Sequence, residues 1–331
     1  MYDHYIALDW AQSNMAIARL TKGSSAVKKV NVASSLKELQ IYLSRLRGKK
    51  ILTFEETSTS QWLYVELKDH VDEILVCDPY RNHLLSDGPK TDELDAVKLV
   101  ELLKGGFLKP VFHSAGEFIY LRKLISGYED MTKAGVRLKN QRAALFRSQG
   151  KDKNQKDLTQ EGESFVLEGV DRGIETYEKE RARYERELER QRRKHLMVRY
   201  LDQIFGIGVI GAVKIVARVV DARRFHDKGK WLSYCGLVRH EKLSGGRSYG
   251  WKTPRYCRTL KSVFKTAASS VLMGKSNNCF TRYHSFLLEK KHYAEHEARH
   301  AVARKIATTA WAVMKSGKPF DPEKMDKGSQ N

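Results

Sequence analysis

Asp92 and Asp95 are the two residues whose types and spacing most directly suggest chemistry. They lie three positions apart at the start of a segment with helical periodicity, so their side chains share one face of the first turn. Two carboxylates directed at one point repel each other unless a cation lies between them, and Mg²⁺ prefers oxygen ligands of this kind. An acidic first turn that complements the helix dipole is the alternative interpretation.

Two other acids lie where a fold would bring them to the same place. Asp9 ends the first predicted strand, and Glu55 ends the fourth. Ligands of open α/β sheets collect at the ends of strands, so we expect Asp9 and Glu55 beside Asp92 and Asp95. The four carboxylates predict a site for one or two Mg²⁺ ions, or Mn²⁺, that acts on phosphodiesters.

The elements that must position these acids form an α/β pattern over residues 1–115. Three short strands with tight connections come first, followed by a helix at 36–46 and a strand at 51–55. A second helix, a strand at 74–77 and the helix that begins at Asp92 complete the series. This order, with acids on the first and fourth strands and on a late helix, indicates a ribonuclease H-like fold.

Charge is distributed unevenly along the 331 residues. The net charge is +20, yet residues 1–100 carry −1 and residues 101–331 carry +21. A nearly neutral segment followed by a strongly basic one indicates that the basic segment, residues 101–331, binds a polyanion, and nucleic acid fits best. The sequence shows no long apolar run and no signal peptide, which predicts a soluble, cytosolic protein without membrane association. Four widely separated cysteines predict neither disulfides nor a zinc site.

Residues 116–198 have a helical and basic pattern. After a polar linker at 150–156, apolar residues recur at spacings of three and four, which predicts a coiled coil or a long helical hairpin. These positions are Leu167, Val170, Ile174, Tyr177, Tyr184 and Leu188. The charged outer faces are consistent with RNA contact and equally with a solvated spacer between two domains.

Residues 199–317 are predicted to form a mainly helical third domain, and residues 318–331 a flexible tail. Gly206 and Gly208 belong to a Gly-x-Gly-x-x-Gly sequence, but a charged helix precedes it where a dinucleotide-binding fold requires a strand. A helix-hairpin-helix turn, whose backbone amides contact phosphates, explains these glycines better. Simple helix packing is the alternative.

Ser244 lies in a segment rich in glycine, hydroxyl, basic and aromatic residues. Basic side chains there can neutralise phosphates, and aromatic rings can stack on unpaired bases. The residues expected to do so are Arg247, Tyr249, Trp251, Lys252, Arg255 and Arg258. A serine among such cations can act as a nucleophile towards phosphorus, whereas a flexible loop that only contacts phosphate is the alternative.

The segment His292-Tyr293-Ala294-Glu295-His296 matches an inverted zinc-protease motif. His300 repeats the histidine spacing on a basic segment, which favours a surface that faces a polyanion. We therefore interpret the motif as part of a basic, polyanion-facing surface rather than as a zinc site.

The order of these motifs resembles that of the DEDD transposases, a family related to the Piv-type DNA invertases. The corresponding residues are Asp9, Glu55 before Thr57, Lys90-Thr91-Asp92-Glu93-Leu94-Asp95-Ala96, the turn at 205–208, Cys235-Gly236-Leu237 and Ser244-Gly245. The resemblance covers nearly the whole chain, and it depends on the order and spacing of all these motifs together.

The resemblance implies a RuvC-like metal-binding domain and a transposase domain in which Ser244 is the nucleophile. It implies that a structured bridge RNA selects the DNA sites by base pairing, and that Ser244 forms a phosphoserine link to DNA. Mg²⁺ at the four acids would polarise the scissile phosphate. Different protomers of a dimer or tetramer would supply the two half-sites, in a cytoplasmic, nucleoid-associated protein of a bacterium or archaeon.

Two positions depart from the family pattern and leave alternatives open. Glu55 is followed by Glu56, so either is a candidate ligand, and the sequence after Lys252 leaves Ser248 as a second candidate nucleophile. The first alternative function is a metal-dependent nuclease of the Holliday-junction resolvase type, which activates water and needs no serine. The second is a non-catalytic RNA-binding protein.

Overall fold

The computed structural model describes residues 1–80, 91–114, 116–152, 161–274 and 276–327. The chain divides into two compact units, Met1–Gly116 and Glu117–Asn331. Lys90 of the acidic motif and residues 153–156 of the predicted linker lie outside the described residues. None of the described helices is long and apolar enough to cross a membrane.

A five-stranded sheet forms the centre of the first unit. Its strands are β1 (His4–Trp10), β2 (Asn14–Thr21), β3 (Lys28–Ala33), β4 (Lys50–Glu55) and β5 (Glu73–Cys77). They lie in the order β3-β2-β1-β4-β5. Strands β1, β4 and β5 are parallel, and β2 is antiparallel to β1 and β3. This mixed α/β arrangement is compatible with the predicted ribonuclease H-like fold.

Helices cover both faces of this sheet. They are α1 (Leu36–Arg45), α2 (Ser60–Leu67) and α3 (Asp92–Gly105). Leu39 of α1 and Leu63 of α2 are buried against one face, whereas Leu99 of α3 is buried against the other. The face under α3 carries Ala7 and Ala16, whose small side chains let the helix lie close to β1 and β2. This contact determines where the acidic first turn of α3 lies.

Two long helices form an antiparallel hairpin at the start of the second unit. They are α4 (Phe118–Ser148) and α5 (Glu161–Lys194). Gly135 lies against the ring of Tyr177, and Arg142 donates to Asp171 at 2.7 Å. The apolar positions predicted for α5 lie in this seam: Leu167, Val170, Tyr177 and Leu188 are buried, and Ile174 and Tyr184 are half-buried. The long hairpin is observed, and a supercoil stays a prediction.

Shorter helices complete the second unit. They are α6 (Leu196–Asp202), α7 (Val209–Val219), α8 (Lys228–Tyr234), α9 (Arg258–Met273), α10 (Cys279–Glu289), α11 (Glu295–Ser316) and α12 (Pro322–Lys327). The buried residues Val213 and Val216 of α7 share one core with Leu121 and Leu188 of the hairpin. Residues 117–331 therefore form one compact unit, and the finer predicted boundary at residue 198 stays a prediction.

The second unit differs from the predictions in two places. Strands β6 (His240–Ser244) and β7 (Arg247–Lys252) form an exposed antiparallel hairpin in the segment interpreted as a loop. In the segment interpreted as a flexible tail, the ring of Phe320 stacks on Phe280, and α12 follows. Residues 328–331 lie outside the described part of the chain.

Candidate active site

Thr91 begins the acidic helix α3. Its hydroxyl accepts a hydrogen bond from the amide of Leu94 at 3.3 Å, and its carbonyl accepts one from the amide of Asp95 at 2.9 Å. A threonine cap of this kind fixes the first helical turn. The turn then presents Asp92 and Asp95 on one face, as the spacing predicts.

Asp9 and Glu55 lie on the sheet face that α3 covers. Side chains alternate along a strand, and Ala7 and Ile51, which have the same alternation as Asp9 and Glu55, belong to the core under α3. Ala7 is paired with Thr53 across the parallel strands β1 and β4. Asp9 and Glu55 each come two residues after that pair, so they lie at the same end of adjacent strands.

The charges of α3 act on Asp9. Burial raises the pKa of Asp9 above its ordinary value, and the negative charges of Asp92 and Asp95 raise it further. The Oδ1 atom of Asp95 is buried and has no hydrogen-bond partner among the described residues. Asp9, Asp92 and Asp95 therefore form an acidic cluster in which a cation would relieve both the repulsion and the unpaired oxygen.

Local contacts favour Glu55 over Glu56 as the fourth acid. Glu56 forms an ion pair with His113 at 3.0 Å. The hydroxyl of Ser60 donates to the carbonyl of Glu55 at 3.0 Å and accepts from the amide of Thr57 at 2.6 Å, which fixes the turn after β4. Strand alternation places Glu55 on the α3 side, and its membership of the site stays a prediction, since the charges that act on Asp9 are those of Asp92 and Asp95.

Two further acids of the first unit have other partners. Glu93 accepts a hydrogen bond from the side-chain amide of Asn31 at 3.3 Å. Asp78 accepts one from the amide of Tyr80 at 3.1 Å, which is the contact of an Asx turn. Both acids thus make structural contacts.

The acidic cluster fits a hard divalent cation in its donor chemistry, since carboxylate oxygens suit Mg²⁺ and Mn²⁺. The unpaired Oδ1 of Asp95 is a donor that such an ion would use. No three His, Cys, Asp or Glu side chains in the part of the chain that the structure describes are arranged around a metal position. The cluster is observed, and the four-carboxylate metal site stays a prediction.

Ser244 is the last residue of β6 and directly precedes a two-residue turn. Gly245 and Gly246 have φ angles of 54° and 76°, the left-handed region that a type I′ hairpin turn requires at both central positions. Ser244 pairs with Arg247 across this turn, so the two side chains share one face. The hydroxyl is therefore presented at the exposed end of a regular hairpin.

The two faces of the hairpin differ in character. One of them, termed the basic face, carries His240, Lys242, Ser244, Arg247 and Lys252. A bulge opposite Lys242 shifts the register by one residue, so Trp251 pairs with Glu241. Trp251 consequently lies on the other face, which also carries Leu243 and Ser248. Ser244 lies among cations, whereas Ser248 lies beside apolar side chains.

His240 and Lys242 are neighbours of Ser244 that were not expected from the sequence. Their alternate spacing becomes informative only once the segment is known to be a strand. Tyr249 and Trp251, which are expected to stack on bases, are both exposed on the hairpin.

Four other residues expected to contact nucleic acid lie outside the hairpin. Arg255 precedes α9, Arg258 begins it, and both are exposed. Gly206 has a φ of 85°, and a side chain there would clash with the carbonyl of Ala267, so packing alone explains this glycine. Gly208 caps α7 with open space beside it. Phosphate contacts at all four positions stay predictions.

Comparisons with known families cover both units. A DEDD transposase model of the IS110 type matches residues 6–148, which include all four acids. A model described as Transposase IS116/IS110/IS902 family matches residues 198–285, which include Ser244. A search of curated proteins finds no match. Two independent matches in the expected order bear out the resemblance, and the chain belongs to the IS110 family of DEDD transposases.

Proposed function

We propose that this transposase cleaves and rejoins DNA through a phosphoserine intermediate formed by Ser244. The observation that carries the proposal is the position of Ser244 on the basic face, directly opposite Arg247 and on the same strand face as Lys242. Cations placed there stabilise the negative charge that develops on phosphorus in the transition state. Membership of a transposase family supports strand exchange as the outcome.

The proposed step is a transesterification. The Oγ atom of Ser244 attacks phosphorus, the Oγ–P bond forms, and the bond from phosphorus to a deoxyribose oxygen breaks. The proton lost from Oγ is taken up by the leaving deoxyribose oxygen. A hydroxyl of another DNA strand then attacks the phosphoserine and releases Ser244. The number of phosphodiester bonds is unchanged, so the exchange needs no external energy source.

Mg²⁺ or Mn²⁺ is the proposed cofactor of the acidic cluster together with Glu55. When bound, the ion would polarise the scissile phosphate. The proposal is supported by the raised pKa of Asp9 and by the unpaired buried oxygen of Asp95.

A structured guide RNA is the proposed partner that selects the DNA sites. The charge of +21 over residues 101–331 supports binding of both RNA and DNA. Base pairing with the guide would then supply sequence specificity, as in other guided systems. A dimer or tetramer would combine the acidic cluster of one protomer with Ser244 of another.

Trapping of a covalent protein–DNA species tests the nucleophile. With Mg²⁺, DNA substrate and copurifying RNA present, Ser244→Ala should abolish the denaturation-resistant adduct while RNA binding persists. Ser248→Ala is the matched control, because it removes a hydroxyl from the opposite face of the same hairpin and should leave the adduct intact. The reverse pattern would move the nucleophile to Ser248, and cleavage without any wild-type adduct would favour the resolvase-type nuclease.

A further inference from the structure

The second unit contains a large cleft that the proposed chemistry does not use. Its volume is about 1350 Å³, and it is lined by α9, α11, residues 236–239, Trp251 and Thr253. Small-molecule sites measure about 300 to 1,000 Å³. The cleft is therefore large enough for a segment of a polymer.

Two basic stripes face each other across this cleft. α9 contributes Lys261, Lys265 and Ser269, and α11 contributes His296, His300 and Arg304. Each set has four-residue spacing, which places its members on one helical face. The two helices pack against each other, and the buried residues Ala268 and Ala303 lie between the stripes. The arrangement is a groove with an apolar floor and cationic walls.

The acids that line the cleft are engaged in other contacts. Glu295 forms an ion pair with Arg299 at 3.1 Å, and its other oxygen lies 3.3 Å from Nε2 of His284. Glu297 accepts a hydrogen bond from the amide of Ala294 at 3.2 Å and caps α11. Within the described residues, Lys265 and Arg304 pair with neither acid. The positive charges of Lys265 and Arg304 are therefore left for a ligand.

The histidines of the cleft do not form a zinc site. His292 has a φ of 54° and precedes α11, so it does not share the helix of His296. Burial lowers the pKa of His300, and the neighbouring charges of Arg304, Lys265 and Lys261 lower it further. The ring of His300 also hydrogen-bonds the backbone of Leu237, so a neutral His300 has no second N–H to donate to a ligand.

Two aromatic rings lie at the cleft. Trp251 is 65% exposed, and Tyr293 is 42% exposed. Exposed rings beside a cationic groove are the usual stacking surfaces for unpaired bases, and bases within a duplex cannot reach such rings. The combination favours a single strand over a double helix.

We infer that this cleft binds a single-stranded nucleic-acid segment, with phosphates along the two stripes and bases stacked on Trp251 and Tyr293. The inference rests on the proposed function in taking nucleic acid as the polyanion. An unpaired segment of the guide RNA and single-stranded DNA both offer phosphates and free bases to such a cleft. Trp251 lies on the hairpin face opposite Ser244, so the cleft is distinct from the site of attack.

Equilibrium binding to the full-length protein tests the cleft. The probes are fluorescent oligo-U and oligo-dT of about 12 nucleotides, within the site sizes of single-strand binders, and a duplex of equal length. Lys265→Gln/Arg304→Gln should weaken single-strand binding about twentyfold at 0.1 M salt and reduce the salt slope by about 1.4. Trp251→Ala should weaken it about tenfold, and Trp251→Phe should retain most affinity.

Lys228→Gln/Lys230→Gln is the matched control, because it removes two exposed cations of the same unit that do not line the cleft. Control and cleft variants with equal single-strand affinity at every salt concentration would overturn the inference. Equal losses on the duplex and on the single strands would also overturn it. The relative affinities for oligo-U and oligo-dT show whether the cleft prefers RNA or DNA. Ser244→Ala should bind both probes normally, so failure of the cleft is distinguishable from failure of the phosphoserine chemistry.

Discussion

Ionisation of Asp9 opposes folding, because burial and the charges of Asp92 and Asp95 all favour its neutral form. The folded pKa lies above the unfolded value of about 4. The destabilisation is therefore fully present above the folded pKa, and it disappears as the pH falls below the unfolded pKa. A cation bound at the proposed metal site would offset this cost, because it favours the ionised form of Asp9.

Asp9→Asn should accordingly stabilise the metal-free protein at pH 7 while it abolishes DNA cleavage. Thermal unfolding from pH 7 down to pH 4 should show a gain in Tm that shrinks with falling pH. Mg²⁺ should raise the Tm of the wild type more than that of the variant. Glu93→Gln removes an acid that lies on the same turn of α3 as Asp92 and Asp95 but outside the acidic cluster. This variant should show no such gain in Tm. Equal melting curves for Asp9→Asn and wild type at every pH would contradict this account.

The site residues were predictable from sequence to the extent that their geometry is local. The spacing of Asp92 and Asp95 depends only on the helical repeat, and Thr91 is a recognisable cap. The choice between Glu55 and Glu56 depends on His113, which is more than 50 residues away in the chain. Contacts of such long range leave no pattern in a single sequence.

At the scale of elements, the α4–α5 hairpin contains close approaches at several glycines, and the tightest of them is at Gly135. Gly135 lies against the ring of Tyr177, and a methyl group there would overlap the ring. Gly169 in α5 has open space where its side chain would be. The two glycines therefore make a matched pair for substitution by alanine.

Gly135→Ala should lower the free energy of unfolding by about 1 to 2 kcal/mol, because overpacking of about 1–3 kcal/mol exceeds the gain in helix propensity. Gly169→Ala should raise it by up to about 1 kcal/mol through propensity alone. Urea unfolding followed by circular dichroism measures both changes. A stabilising Gly135→Ala would mean that the seam is looser than the packing of Tyr177 indicates.

The elements that bury apolar side chains were predictable, and the hairpin of β6 and β7 was not. Strands β1, β2 and β4 bury continuous apolar runs, and the seam of α5 buries side chains at spacings of three and four, so a hydrophobic pattern marks these elements. Every residue of β6 and β7 is exposed, so no alternating apolar pattern exists there. Phe320 was assigned to a loose tail because one aromatic residue carries no periodicity.

At the scale of the whole molecule, the acidic cluster and the basic face belong to different compact units. The acidic cluster belongs to the first unit, and Ser244 with its basic face belongs to the second. The charge division of the sequence, −1 over residues 1–100 and +21 over the remainder, agrees with this placement of the acidic and basic groups. The resemblance implies that two protomers supply a complete site, and this stays a prediction because assembly depends on surfaces rather than on motifs.

Oligomers that contain two different inactive variants test whether a complete site uses residues of two protomers. Asp95→Asn and Ser244→Ala should each be inactive, and a mixture should regain part of the strand-exchange activity if the two half-sites come from different protomers. A mixture of Asp92→Asn and Asp95→Asn, which are defective in the same cluster, should stay inactive. Native mass spectrometry verifies subunit exchange. Verified mixed oligomers of the first pair without recovered activity would place the complete site within one chain.

The hairpin of β6 and β7 is a ribbon one sheet thick, with the serine hydroxyl on one side and Trp251 on the other. If both proposals hold, such a ribbon would separate two nucleic-acid strands. A strand stacked on Trp251 would be shielded from the serine of the same chain unless it passed around the tip formed by Gly245 and Gly246. The protein would thereby keep one nucleic acid intact while it cuts another, and it would need no conformational change to distinguish the two.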